Sequence, residues 1–151
     1  MRKVFIDANI IITVLNREYP LFRMCSRILS LADHRDYELY TSPTCLAISF
    51  YFASKKCGES GAREKIRMLS EKIKVTKTGQ EEVIAALGNP KINDFEDGIA
   101  YYSALNAQCG FIITEDRDDF YFSEIPIMTC EAFLREVALP SLAKPKKQGY
   151  K

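Results

Sequence analysis

The chain has 151 residues, 47% of them apolar and 27% charged, and a net charge of +1. That length favours one domain, expected over residues 1–139, and the apolar share can build a packed core, which excludes wholesale disorder. No apolar run approaches the ~18 residues of a membrane span; the basic start lacks a small-residue cleavage site, and five scattered cysteines without a C-x-x-C pattern read as reduced thiols, so a cytoplasmic protein without membrane contact is expected.

"RKVFID" is β-branched and apolar up to Asp7 and predicts a short buried strand. A helix follows from Asn9 to Asn16. Pro20 opens a second helix, with Leu21, Met24, Cys25, Ile28 and Leu29 on one face. "YELYTS" is a second strand. Pro43 starts a helix through "TCLAISFYFASKK" that ends near Gly58, and "GAREKIRMLSEK" forms a basic amphipathic helix. "IKVT" is a third strand, and "QEEVIAAL" a helix stopped by Gly88-Asn89-Pro90. A helix rich in small residues runs from Asp94 to Gln108, with Gly110 as its stop. "GFIIT" and "IPIMT" are the last strands, Cys130 to Ala138 the last helix, and residues 140–151 a flexible basic tail. Strands alternating with helices predict a doubly wound α/β fold, a parallel sheet covered on both faces.

The charges are unevenly placed. Residues 94–119 hold seven acids against one base, residues 55–77 hold eight bases against three acids, and the segment after Pro140 adds four lysines. An acidic centre on a basic body suits a polyanion held near bound cations. His34 is the only histidine, which leaves a His/Cys zinc site or a histidine-activated nucleophile almost nothing to work with.

Open α/β sheets bind ligands outside the carboxyl ends of their strands. Asp7 ends the first strand and Asp116 follows the fourth. Asp97 sits in the first turn of the helix leading into that strand, on one face with Ala100, Ala104 and Ala107. The three acids therefore converge on one rim, with Asp94 one turn earlier able to cap the helix or extend the cluster. Two carboxylates ~6 Å apart repel by roughly 3 kcal/mol at an effective dielectric near 20. Such a group must protonate or take up a cation, and all-oxygen ligands select Mg²⁺ or Mn²⁺.

"VFIDANIII", "DFEDGIAYYSA" and "IITEDRDDF" resemble the three best-marked motifs of PIN-domain proteins, which include the toxins of VapBC-type toxin–antitoxin pairs. The resemblance spans roughly Lys3 to Phe133. It implies a five-stranded parallel sheet in an α/β/α arrangement and Mg²⁺- or Mn²⁺-dependent cleavage of single-stranded or structured RNA. Carried over by position, Asp7, Asp97 and Asp116 are the catalytic metal acids, assisted by Asp94. Asn9, Thr114 and Asp119 are supporting residues, with the Thr114 hydroxyl placed to orient a carboxylate or a water. The family's Glu in the helix after strand two is missing, since no acid occurs between Glu38 and Glu59, and its position falls near Ala47 or Ile48.

These readings lead to a ribonuclease, the toxin of a toxin–antitoxin pair. Lys55, Lys56, Arg63 and Arg67 would guide the RNA backbone; aromatics of "FYFASKK" would stack bases, although an apolar helix more often places such residues in the core. An antitoxin is an implied partner, and apolar Leu21, Phe22 and Leu29 suit a homodimer. The missing Glu motivates a second reading, a catalytically weak PIN-like module that binds nucleic acid or a protein. A haloacid-dehalogenase-like phosphatase would need a second Asp where Asn9 stands, and a response-regulator receiver would need paired acids at strand one.

Overall fold

In the computed structural model, which describes residues 1–142, five strands form one sheet: β1 (Arg2–Ile6), β2 (Tyr37–Thr41), β3 (Lys74–Val75), β4 (Phe111–Ile113) and β5 (Ile127–Met128). Their order is β3-β2-β1-β4-β5, and every pairing is parallel. Val4 pairs with Leu39 on one side of β1 and with Phe111 on the other. The chain steps outward from β1 to β3, then returns past β1 to begin β4. The β1/β4 boundary is thus the point at which the strand order reverses, where open α/β sheets leave a crevice at the carboxyl edge.

The helices are α1 (Ala8–Leu15), α2 (Phe22–Ser30), α3 (Pro43–Ser70), α4 (Gln80–Gly88), α5 (Phe95–Asn106), α6 (Cys130–Phe133) and α7 (Leu139–Leu142). A π-helical turn, Leu134–Ala138, joins the last two, so the helix expected over Cys130–Ala138 continues to Leu142. The expected tail from residue 140 therefore begins as helix, and its residues from 143 onward lie outside the described residues. Pro20 stays in a turn and α2 begins two residues later.

Both faces of the sheet are covered because successive strand side chains alternate. Val4, Ile6 and Ile113 join Ile10, Cys25, Ile28, Cys130 and Phe133 in one core, under α1, α2 and the C-terminal helix. Phe5 and Ile112 join Cys45, Ala100, Tyr101, Ala104 and Phe120 in the other, under α5 and the start of α3. Phe133 stacks edge-on against Phe111 at 5.2 Å and Tyr37 at 6.2 Å. Leu21 and Leu29, read as a possible dimer surface, pack partly buried against the first core.

Two helix boundaries differ instructively from the sequence reading. α3 includes both helices expected to meet near Gly58, and the break is there as a kink: Gly58 takes φ 78° and ψ 167° inside the span. The stop of α5 is Gln108, at φ 62°, which closes the helix in the left-handed conformation usually given to Gly. Gly110 instead donates its N–H to the Lys3 carbonyl at 2.9 Å and starts the sheet pairing. The Gly58 backbone lies in a region that is essentially closed to side chains. Gly58→Ala should therefore cost about 1–3 kcal/mol, read as a lower urea midpoint with an unchanged slope.

Candidate active site

Asp7 ends β1 and caps α1, its Oδ1 accepting the Ala8 N–H at 2.9 Å. Its other oxygen accepts the hydroxyl of Thr114 at 2.8 Å, from the residue just past β4. Thr114 is fully buried, and its oxygen also accepts from the Asn9 amide at 2.9 Å and the Asp116 N–H at 3.1 Å. The same Asn9 nitrogen reaches Asp116 Oδ2 at 3.0 Å and lies 3.4 Å from Asp7 Oδ2. One buried hydroxyl and one amide therefore hold two carboxylates side by side across the β1/β4 boundary. Thr114, expected to orient a carboxylate or a water, bonds Asp7 directly, and Asn9 reaches both acids.

The third acid arrives on α5. Asp94 is the N-cap of that helix, its Oδ1 accepting the N–H groups of Glu96 at 2.9 Å and Asp97 at 3.1 Å. Ala100 and Ala104 are buried against the sheet, and such small side chains bring the helix close. Asp97, on the same face, emerges at the rim. A crevice of about 180 Å³ is lined by Asp7, Asn9, Thr44, Ile48, Glu96, Asp97 and Asp116, among others. Asp7, Asp97 and Asp116 thus meet as expected. Asp94 does not line the crevice. It is the cap, and its charge acts on Asp97 from outside.

The electrostatics follow from this crowding. Burial, then the neighbouring charges of Asp94, Asp7, Asp119 and Asp116, push the Asp97 carboxyl up to about 7. Burial is also the largest cause that raises Asp7; the Thr114 hydroxyl opposes it and Asp116 adds to it. Asp119 is exposed on the 3₁₀ turn Arg117–Phe120, where its N–H donates to the Asp116 carbonyl at 3.1 Å. It contributes charge rather than a crevice wall.

Two features of the site escaped the sequence reading, Glu96 and Cys45, and a third, at Ile48, matches it. Glu96, inside the quoted "DFEDGIAYYSA" stretch but given no role there, lines the crevice. The Cys45 thiol lies 3.8 Å from Asp7 Oδ1, and burial pushes it up to about 12. Ile48 occupies the wall where the family's Glu is expected. A search for acids flanking the marked ones would have found Glu96. Nothing in the sequence signals Cys45.

The basic residues are partly spoken for. Lys56 donates to the Asn16 carbonyl at the end of α1, as Lys65 does to Leu15 at 2.7 Å, because a helix C-terminus leaves carbonyls that cations satisfy. Arg67 is held by Glu64 at 2.5 Å and Glu71 at 2.7 Å. Arg63 is exposed, and Lys55 lies 4.8 Å over the Tyr51 ring. Tyr51 and Phe52, expected as core or stacking residues, are 54% and 47% exposed.

A family profile described as the PIN domain matches residues 3–118. The chain belongs to the PIN-domain family. No curated protein matches the sequence. Among solved structures, this PIN domain is similar to VapBC2 of Rickettsia felis bound to a promoter DNA fragment, with a TM-score of 0.63 and 14% identity over 83% of this chain and 96% of that one. It is also similar to VapBC-1 of nontypeable Haemophilus influenzae, with a TM-score of 0.63 and 18% identity over 85% and 98% of the two chains. A third is Mycobacterium tuberculosis VapC20, a toxin that cleaves the sarcin–ricin loop, with a TM-score of 0.62 and 16% identity over 82% and 98%. The fold is that of VapC toxins. Among the described residues no helix is long and apolar enough to cross a membrane.

The donor set fits the divalent ion that the family implies. Every acid in the crevice offers oxygen only, and their mutual repulsion falls when a cation enters. Among the described residues no three of these acids bring one oxygen each within 4.8 Å of one another, so an ion held by the whole set would need waters between it and some of the carboxylates.

In metal-free protein the raised Asp97 has a definite sign. Its folded value, about 7 against 3.8, means the folded state holds the proton more tightly. This contribution to stability is complete below pH 4 and is lost as pH rises toward 7. With chelator present, the melting temperature should carry a falling component across that window. Asp97→Asn should remove it and melt higher than the parent at pH 8; thermal scans in buffers from pH 4 to 8 check both.

Proposed function

We propose that this PIN domain is a Mg²⁺- or Mn²⁺-dependent endoribonuclease and the toxin of a toxin–antitoxin pair. One observation carries the reading: Asp7, Asp97 and Asp116, far apart in sequence, line one crevice at the β1/β4 switch point. Asp7, Asp97 and Asp116 would hold the ion, with Glu96 adding a carboxylate from α5 to a crevice that lacks the family's Glu on α3. Asp94 supports Asp97 as the helix cap. When bound, such an ion polarises a phosphodiester and lowers the pKa of a water.

The remaining work falls to the protein's own side chains. Asn9 and Thr114 fix the Asp7 and Asp116 carboxylates, so the donors are oriented before substrate arrives. Ile48 closes one wall and sheds water. Thr44, Ile48, Tyr51 and Lys55 follow an i, i+4, i+7, i+11 spacing, one face of α3 leading out of the crevice. Tyr51 on that face sits beside a lysine, and Phe52 next to it, at 5.3 Å, makes an exposed aromatic pair. A single RNA strand would stack on the rings and pair its phosphates with Lys55 and Arg63.

The VapBC structures named above support an antitoxin as partner, and five free cysteines support a reducing compartment such as the cytoplasm. Ile48, where an acid is expected, favours a second reading: a PIN module that retains RNA without cutting it.

Purified protein separates the two. Metal-dependent cleavage of RNA that falls at least ~100-fold in Asp97→Asn supports the nuclease; retention of RNA without cleavage supports the module. Magnesium or manganese at 100 times Kd should stabilise the parent by about 2.7 kcal/mol and leave Asp97→Asn nearly unchanged. Glu96→Gln should lose part of that metal response, and Tyr51→Ala should weaken RNA retention with the metal response intact.

A further inference from the structure

The turn after β4 has a second face. Asp116 points into the acidic crevice, while the preceding residue, Glu115, reaches the other side of the sheet edge. There its Oε1 accepts the Cys130 N–H at 3.0 Å. Cys130 opens α6, and its thiol lies 3.3 Å from that of Cys25 on α2, 105 positions away in the chain. Both thiols are fully buried, whereas Glu115 is half-buried. One ligand atom from each of the three residues falls within 4.8 Å of the other two. The cysteines that looked scattered in the sequence thus include a pair in direct contact.

We propose that Cys25, Cys130 and Glu115 form a site for a single zinc ion, distinct from the acidic crevice. The donor chemistry selects the metal. Two sulfurs are too soft for Mg²⁺ or Ca²⁺, and the carboxylate is too hard for a copper(I) site, whereas zinc accepts both. Tetrahedral zinc, with bonds of ~2.3 Å to sulfur and ~2.0 Å to oxygen, wants ligand atoms roughly 3.3–3.8 Å apart. The sulfurs are already near that spacing, and the carboxylate closes the rest. A disulfide would need them at ~2.05 Å and would make no use of the Glu115 carboxylate beyond its bond from the Cys130 N–H.

Access is on the Glu115 side, the only one of the three with solvent contact. A water entering from that side would complete four-coordination. The Cys130 N–H already orients the carboxylate, as hydrogen bonds to metal-ligating carboxylates do. On binding, two S–H bonds break, two Zn–S bonds and one Zn–O bond form, and two protons leave to buffer. Because Glu115 and Asp116 are consecutive, filling this site pins the turn that carries a crevice acid. Zinc binding here requires no ribonuclease activity.

Reduced full-length protein titrated with cobalt(II), the spectroscopic stand-in for zinc, tests it. One equivalent should produce a thiolate-to-cobalt charge-transfer band, which one equivalent of zinc bleaches. The band should persist in Asp97→Asn, in Cys45→Ser and in Cys57→Ser, the last removing the exposed thiol. It should vanish in Cys25→Ala. Glu115→Gln, half-exposed and still able to accept the Cys130 N–H, keeps the fold and should bind at least ~10-fold more weakly. A second measurement covers misfolding of the Cys25 variant: zinc-edge absorption of the parent should contain two sulfur neighbours. A folded parent without the band overturns the site, as does a band unaffected by Glu115→Gln or one abolished by Cys45→Ser. So does a Cys25–Cys130 disulfide whose reduction yields no cobalt uptake.

Discussion

Asn9 and Thr114 hold two carboxylates in a position that neither acid would choose alone. Asp7 and Asp116 carry like charge at the ends of adjacent parallel strands, and a buried hydroxyl and an amide keep them together. The geometry is available because β1 and β4 are neighbours although 104 residues lie between the end of β1 at Ile6 and the start of β4 at Phe111. The sheet supplies the adjacency, and the polar network supplies the orientation. Buried networks of this kind hold one arrangement because an unpaired member is costly.

The third acid shows how backbone and side chain share one task. Asp94 spends an oxygen on the first N–H groups of α5, which fixes the helix start at the rim. Ala100 and Ala104 let α5 lie close to the sheet, so Asp97 reaches the crevice instead of standing off in solvent. The crowding that results raises Asp97, and an ion entering the crevice relieves it. The three acids at this helix start thus divide their work: Asp94 caps, Asp97 faces the centre, and Glu96 adds a wall.

The basic segment divides similarly. Lys56 and Lys65 close the C-terminal carbonyls of α1 and tie it to α3, and Arg67 links two glutamates along the helix. A charge run read from sequence does not distinguish such internal uses from a nucleic-acid surface. The kink at Gly58 splits the segment, so Lys55 lies on the stretch that begins at the crevice and Arg63 and Arg67 lie beyond the bend.

The strands, the helix starts at Pro43 and Asp94, and the rim positions of Asp7, Asp97 and Asp116 were all legible in the sequence. Each rests on local chemistry: β-branched apolar runs, capping residues, and acids directly after a strand. The stop at Gln108 was not legible, because Gly110 carries the stronger local signal and only the entry into β4 decides which residue turns. The exposure of Tyr51 and Phe52 was equally hidden, since an apolar helix face acquires its meaning from what packs against it. The Asn9–Thr114 bridge, the place of Glu96 on the wall, and the meeting of Cys25 with Cys130 belong to tertiary structure alone. Residue order determines which side chains a strand or helix presents, but the return of the chain past β1 determines which of them touch.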